Sequence, residues 1–248
     1  NATGEPIGGG EGYSRLVNSW TTYVSTASDL INALNNATSG DVIYVDDNAD
    51  LNLDGYTLPL KVKAGVTLAS GRGKIINGAL SQGARLRVTP GPSNKKIVEV
   101  IGEGARITGL RFYGGDPTRG DLVTRGLTWT NGIYAWGYNT TEIDNNEFRG
   151  FRWDGVAIND GYVHHNTFDD NPYWEYGYGI VQDGSNTTGG LLIEGNLFDN
   201  NRHAIASTGK STSRYEARYN TTLVNNVGHA FDMHGNSACS CAGDWVKI

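Results

Sequence analysis

The residues able to do chemistry crowd into the last third of the chain. Between Arg202 and Arg218 stand Arg202, Lys210, Arg214 and Arg218 against one carboxylate, Glu216, whereas residues 1–50 hold a single basic residue, Arg15. In a chain of 248 residues with formal net charge −6, cations gathered in this way form a candidate track for a polyanion. Arg149 and Arg152 lie upstream and would extend it; solvated loop charge is the plainer alternative. Tyr178, His203, His229 and His234 accompany the cations, and phenols and imidazoles are groups that accept or donate protons. Lys210 sits in Ser207-Thr208-Gly209-Lys210-Ser211, a turn from which an amine can lean over a neighbouring cleft. Nearby cations would lower the pKa of such an amine or of a phenol.

The elements that must position these groups show as a repeat. Ile143-Asp144-Asn145-Asn146-Glu147-Phe148, Val163-His164-His165-Asn166-Thr167-Phe168, Ile193-Glu194-Gly195-Asn196-Leu197-Phe198 and Ala217-Arg218-Tyr219-Asn220-Thr221-Thr222 share an asparagine at the fourth place. A second motif follows each one: Asp154-Gly155-Val156-Ala157-Ile158, Tyr178-Gly179-Ile180-Val181-Gln182, His203-Ala204-Ile205-Ala206-Ser207 and His229-Ala230-Phe231-Asp232-Met233. Asn131-Gly132-Ile133-Tyr134-Ala135 reads as an earlier member. Two short strands recurring in fixed order at irregular intervals predict a solenoid whose turns are fixed while its loops vary. Asn146, Asn166, Asn196 and Asn220 would then stack inside as a ladder, each amide satisfying turn backbone and its neighbours. The expected fold is all-β, a parallel β-helix in a single domain over residues 1–248, with the clearest repeats over 105–235. In it Asn131, Asp154, Tyr178, His203 and His229 form one column, with Asp183 and His234 at the other end of the same strands.

Composition agrees. Glycine is abundant (35) and proline sparse (6), and no apolar run is long enough to cross a membrane. The acidic balance argues against nucleic acid as a partner. The chain begins at Asn1 without an apolar leader, so an exported protein would already have lost its signal. Five Asn-x-Ser/Thr triplets, at Asn1, Asn36, Asn139, Asn186 and Asn220, point to a secreted glycoprotein. Cys239 and Cys241 are too few for a disulfide framework or a four-cysteine zinc site, and leave a mutual bridge, free thiols or an outside partner open.

Residues 26–36 form the one helix expected, with Ser28 as N-cap and Leu30, Ile31 and Leu34 on one face. Placed there, it would cap the open first coil and block edge-to-edge association. The glycine-rich first dozen residues are expected to wrap along the surface. Strands are expected around Leu58 to Leu60, Val66 to Leu68, Lys74 to Ile76 and Lys96 to Val100. The long excursions are Gly114 to Thr128 and Asn171 to Gly177, and long loops on a rigid solenoid carry binding surfaces.

The helix followed by Gly40-Asp41-Val42-Ile43-Tyr44-Val45 and Val66-Thr67-Leu68 resembles the start of right-handed parallel β-helix polysaccharide lyases and epimerases. Tyr178 to Asp183, followed by Asn196-Leu197-Phe198-Asp199-Asn200-Asn201-Arg202-His203-Ala204-Ile205, resembles the core of mannuronan C5-epimerases and small alginate (polymannuronate) lyases. The epimerase pattern Tyr-Gly-Phe-Asp-Pro-His-Asp is not kept: Val181 stands for its first aspartate and Asp183 for its histidine. His229-Ala230-Phe231-Asp232-Met233-His234 keeps Phe-Asp-x-His without the tyrosine. The resemblance therefore fits a lyase better than an epimerase, which stays open as the alternative. Eliminating a uronate chain needs a cation or amide at the C5 carboxylate, a base for the C5 proton and an acid for O4. The resemblance implies a lysine and a tyrosine, here Lys210 and Tyr178, with His203 orienting or neutralising and Tyr173 the rival acid. Arg152, Arg202, Arg214, Trp174, Tyr215, Asp183 and His234 are the expected substrate contacts.

Two other classes stay open. A β-helix hydrolase would need paired carboxylates on adjacent coils, for which Asp154 and Asp183 are available. A carbohydrate-binding solenoid would use Tyr134, Trp136, Trp153, Tyr173 and Trp174 as stacking platforms. The expected partner is an acidic polysaccharide met by a monomer. No cofactor or metal is called for: calcium needs converging carboxylates, and Asp169, Asp170 and Asp183 are too loosely spaced.

Overall fold

Three short strands and three bends make one coil, and the coils stack. The computed structural model describes residues 2–91, 93–115, 129–173, 176–185 and 189–248. One coil runs through Thr141–Asp144, Glu147–Arg149 and Asp154–Ile158. The next runs through Gly161–His164, Thr167–Asn171 and Tyr178–Gln182, and a third through Leu191–Glu194, Leu197–Asn201 and His203–Ser207. Equivalent strands pair in parallel, so Ile143 stands opposite Val163, Phe148 opposite Phe168 and Val156 opposite Ile180. The result is three parallel sheets of nine, seven and six strands. This is a right-handed parallel β-helix, whose interior strands have both edges paired.

The inward residues explain the repeat. Phe112, Phe148, Phe168 and Phe198 are fully buried and stack in a file with centroids 5.2, 4.9 and 5.0 Å apart. Beside them runs the asparagine ladder. The Nδ2 of Asn146 donates to Asn166 Oδ1 at 3.1 Å, Asn166 to Asn196 at 3.0 Å and Asn196 to Asn220 at 3.0 Å. Each rung follows a residue in the left-handed region: Asn145 (φ 56°), His165 (52°), Gly195 (64°) and Tyr219 (55°). For the three side-chain-bearing residues that conformation costs energy, which the turn's hydrogen bonds offset. A second ladder, Asn171–Asn201–Asn226, lines the next bend, with links of 2.7 and 3.3 Å.

The helix spans Ala27–Asn36 and lays Ala27, Leu30 and Leu34 over the first coil. Its N-cap is Thr26, not Ser28. Thr26 is extended, and its Oγ1 accepts from the Asp29 N–H at 3.1 Å while its hydroxyl donates to the Asp29 carboxylate at 2.7 Å. That reciprocal cap starts the helix two residues early and leaves Ser28 in the first turn. Lys74 to Ile76 adds no rung either: Ile75–Ile76 pairs antiparallel with Ala79–Leu80 as an exposed hairpin outside the coils.

Residues 8–13 cross the asparagine bends as a strap. Gly8 N donates to Gly195 O at 2.8 Å, Gly10 N to Asn145 Oδ1 at 2.7 Å, and the Tyr13 hydroxyl to Asp144 Oδ2 at 2.7 Å. Glycine is required at position 9, where a Cβ would stand 2.3 Å from the His165 carbonyl oxygen. At the other end Cys239 and Cys241 are bonded to each other, which closes the alternatives left by the sequence.

Candidate active site

The outward face of the six-stranded sheet collects the polar groups. Register places Asn131 beside Asp154, Asp154 beside Tyr178 and Tyr178 beside His203, and the bridge between Ile205 and Phe231 continues the column to His229. Further along the strands, Val181 stands opposite Ala206. With Tyr178 they make a small apolar cluster separate from the main core. Two short side chains thus stand between longer ones and give this face an apolar floor.

Tyr178 stands at one end of that floor. Its oxygen accepts from Arg202 Nη1 at 3.2 Å, and its ring meets those of His203 and His234 edge-on at 5.3 and 6.0 Å. Beside it runs an aromatic bank from three successive coils: Trp129 against Trp153 at 4.1 Å, and Trp153 stacked on Tyr176 at 3.9 Å. At the far end Lys210 Nζ lies 2.7 Å from Asp183 Oδ1 and 5.9 Å from the Trp136 ring. Trp136 in turn meets Tyr134, over which Lys96 Nζ sits at 3.2 Å. On the following coil Asp232 Oδ2 faces three imidazoles: His234 Nε2 at 2.8 Å, His203 Nδ1 at 3.0 Å and His229 Nδ1 at 3.4 Å.

Burial sets the protonation states. Asp154 is fully buried, which pushes its carboxyl well above the usual range against the opposing effect of a 2.9 Å bond from Asn131 Nδ2. Burial also raises the Tyr178 phenol, against the lowering effect of Arg202. His203 is pushed down to about 4, first by burial and then by the charge of Arg202, so its ring is neutral.

Of the residues singled out by sequence, Tyr178, His203, Asp183, Arg202, His234 and Lys210 come together on this face. Others do not. Tyr215 has no exposed surface: it lies inside the nine-stranded sheet and its hydroxyl donates to the Asp232 carbonyl at 3.1 Å. Arg152 and Tyr173 are 1% and 3% exposed, with the guanidinium 6.0 Å from the phenol ring. Arg214 begins Arg214–Arg218 on the nine-stranded sheet and faces Asp244 at 3.6 Å. Arg218 on the same strand pairs with Glu194. The basic run is thus split, Arg202 and Lys210 flanking His203–Ser207 and Arg214 and Arg218 lying on the nine-stranded sheet, because the chain turns a corner between Ser207 and Arg214. Trp174 lies outside the described residues, as do Asn1, Asn186 and the excursion from Asp116 to Thr128.

Trp129 is not singled out by the sequence, and Tyr176 enters only as part of the excursion Asn171 to Gly177. The available signal was positional: an aromatic precedes the strand in Trp129-Thr130, Trp153-Asp154 and Tyr176-Gly177-Tyr178. A second polar cluster, on the nine-stranded sheet, anchors the strap. There Arg15 pairs with Glu142 at 2.6 Å, Arg106 with Asp144 at 2.6 Å, and His164 with Glu142 at 2.9 Å.

The family model described as right handed beta helix region matches residues 41–228. No curated protein sequence matches this one. Among solved structures, an alginate lyase from Paenibacillus sp. str. FPU-7 is similar at 13% identity and a TM-score of 0.39, over 90% of this chain and 99% of that one.

Proposed function

Because the chain belongs to the right-handed β-helix family, in which a rigid solenoid leaves chemistry to side chains on its outer faces, we propose that it is a polysaccharide lyase that cleaves a polyuronate by β-elimination, with polymannuronate as the first substrate to test. One observation carries the reading. One face of the six-stranded sheet has a phenol bound to a guanidinium at one end, a lysine at the other and a bank of aromatics alongside. Aromatic faces take sugar rings, and the cations suit a polymer with a carboxylate on every residue.

In this reading Arg202 neutralises the C5 carboxylate, which makes the C5 proton acidic. Lys210 takes that proton after passing one of its own to Asp183, whose carboxylate it already touches at 2.7 Å. The electron pair of the broken C5–H bond forms the C4–C5 double bond as the C4–O4 bond breaks. Tyr178 donates its proton to the departing O4, and the proton held by Asp183 returns through solvent to the phenolate. Such polymers are met outside cells, where a secreted monomer would work.

The product carries a conjugated double bond, so purified protein with polymannuronate should raise the absorbance near ~235 nm, the region of an unsaturated uronate, while a hydrolase would release reducing ends alone. Tyr178→Phe and Lys210→Ala should each lower kcat by about two or more orders of magnitude, with melting and polymer binding retained. Reducing ends without ultraviolet absorbance, across a panel of polyuronates, would sink the lyase reading. Near-normal turnover by Lys210→Ala would move the base to the Asp232 side of this face.

A further inference from the structure

Asp232 sits where too many nitrogens converge. Its Oδ2 has His234 Nε2, His203 Nδ1 and His229 Nδ1 at 2.8, 3.0 and 3.4 Å. One carboxylate oxygen offers about two lone pairs, so three imidazoles exceed what hydrogen bonding there can satisfy. His203 is the decisive member. It is 4% exposed, and its Nδ1, although 3.0 Å from the oxygen, lies off the line that a hydrogen bond requires and has no hydrogen-bond partner. A buried ring nitrogen aimed into a cluster without a proton bridge is placed as a ligand would be.

The spacing fits an ion. The nitrogens of His203 and His229 and the Asp232 oxygen all lie within 4.8 Å of one another. Ligand atoms held at ~2.0–2.1 Å from one tetrahedral centre stand about 3.3 Å apart, so small side-chain shifts would close the shell. The backbone fixes the set. His203 and His229 are neighbours in one column, while Ala204 N to His229 O at 3.1 Å and Ser207 N to Asp232 O at 3.1 Å lock the two strands together.

We propose that His203, His229 and Asp232, with His234 as an additional ligand, bind a divalent transition-metal ion. Imidazoles with one carboxylate favour zinc, cobalt, nickel or copper, whereas calcium and magnesium take oxygen shells. This departs from the sequence expectation that no metal is involved. An ion there would lie beside Tyr178, whose ring is 5.3 Å from His203 and 6.0 Å from His234. Its role as an added anchor for a substrate carboxylate rests on the lyase reading; the binding itself does not.

Cobalt tests the binding without any substrate. Chelator-treated full-length protein titrated with Co2+ should develop visible ligand-field bands that saturate at one ion per chain, and Zn2+ but not Ca2+ should remove them. His229→Ala alters a side chain that is 70% exposed, so the fold should be retained. It should weaken Co2+ at least about tenfold, since even outer-sphere partners of metal ligands carry that much. Asp232→Asn should do the same, and Zn2+ should raise the melting temperature of the parent protein but not of His229→Ala. Absence of bands, or bands of equal strength in both variants, would overturn the proposal. Saturable cobalt binding in a protein inactive on every polyuronate would leave the metal site standing and remove the lyase.

Discussion

Asn196→Ala is the sharpest probe of what holds the coils in register. The Asn196 Oδ1 accepts from the Asn166 backbone N–H at 2.9 Å and from its Nδ2 at 3.0 Å; its Nδ2 donates to Val163 O at 2.9 Å, Glu194 O at 3.2 Å and Asn220 Oδ1 at 3.0 Å. Some of these losses are covered. Asn166 Nδ2 keeps Ile143 O and His164 O, Glu194 O keeps the His165 N–H, and Asn220 Oδ1 keeps the Asn196 N–H. One buried backbone group is left without its partner, the Asn166 N–H, while the Val163 carbonyl lies in a strand paired on both sides. An unpaired buried donor costs ~1–3 kcal/mol, so with the lesser losses the substitution should destabilise by about 2–3 kcal/mol. In a chain of this size that corresponds to a fall of roughly 4–12 °C in melting temperature. Asn220→Ala, at the half-exposed end of the ladder where water can replace the amide, should cost less than half as much. Thermal and urea unfolding followed by circular dichroism would measure both. Equal losses in the two variants, or an Asn196→Ala melt within a degree or two of the parent, would refute the ladder as a source of stability.

Two further outcomes follow from charge. Burial works to raise Glu142, but bonds from His164 and Arg15 and the charge of Arg106 outweigh it and hold the carboxylate at about 2. Its contribution is therefore present above the ordinary value of 4.5 and lost as pH falls towards 2, so the melting advantage of the parent over Glu142→Gln should shrink across that window; an advantage independent of pH would exclude ion pairing as its source. Asp154 has the opposite sign: its raised pKa keeps a proton in the fold, and stability declines as pH rises above the ordinary value of 3.8. Asp154→Asn, which mimics the neutral acid, should melt at or above the parent at neutral pH, and a drop of several degrees would mean that the carboxylate is charged.

The fold was legible where one residue type answers one geometric need. Asn146, Asn166, Asn196 and Asn220 must fill the same bend on every coil, so they keep their place while the intervening loops change length. The second ladder carried the same signal three residues after each phenylalanine, in Phe168-Asp169-Asp170-Asn171 and Phe198-Asp199-Asn200-Asn201. Weaker periodicity misled at Ile75 and Ile76, because two apolar residues between glycine turns read alike whether they join a rung or leave it as a hairpin. The basic run misled for a related reason. Proximity along a β-helix chain survives within a strand and is lost at a bend, which separates Arg202 and Lys210 from Arg214 and Arg218.

The column Asn131, Asp154, Tyr178, His203, His229 was legible because register alone determines it. What register leaves open is the lean of each side chain. His234 starts at the far end of its strand, yet its ring comes within 6.0 Å of Tyr178. The ring also pairs with Asp232 and meets His203 at 5.9 Å, so the lean draws the histidine towards the phenol's end of the face. The same argument bears on how a polymer would lie. Strands of successive coils are ~4.8 Å apart, so a chain running along the solenoid axis meets the equivalent position of every coil in turn. Trp129, Trp153 and Tyr176 offer it three aromatic rings on consecutive coils, the last two stacked. Tyr178, Arg202 and the Asp232 histidines come next along that axis, so a bound polymer would pass first over an aromatic bank that grips its rings and then into the groups that can move a proton.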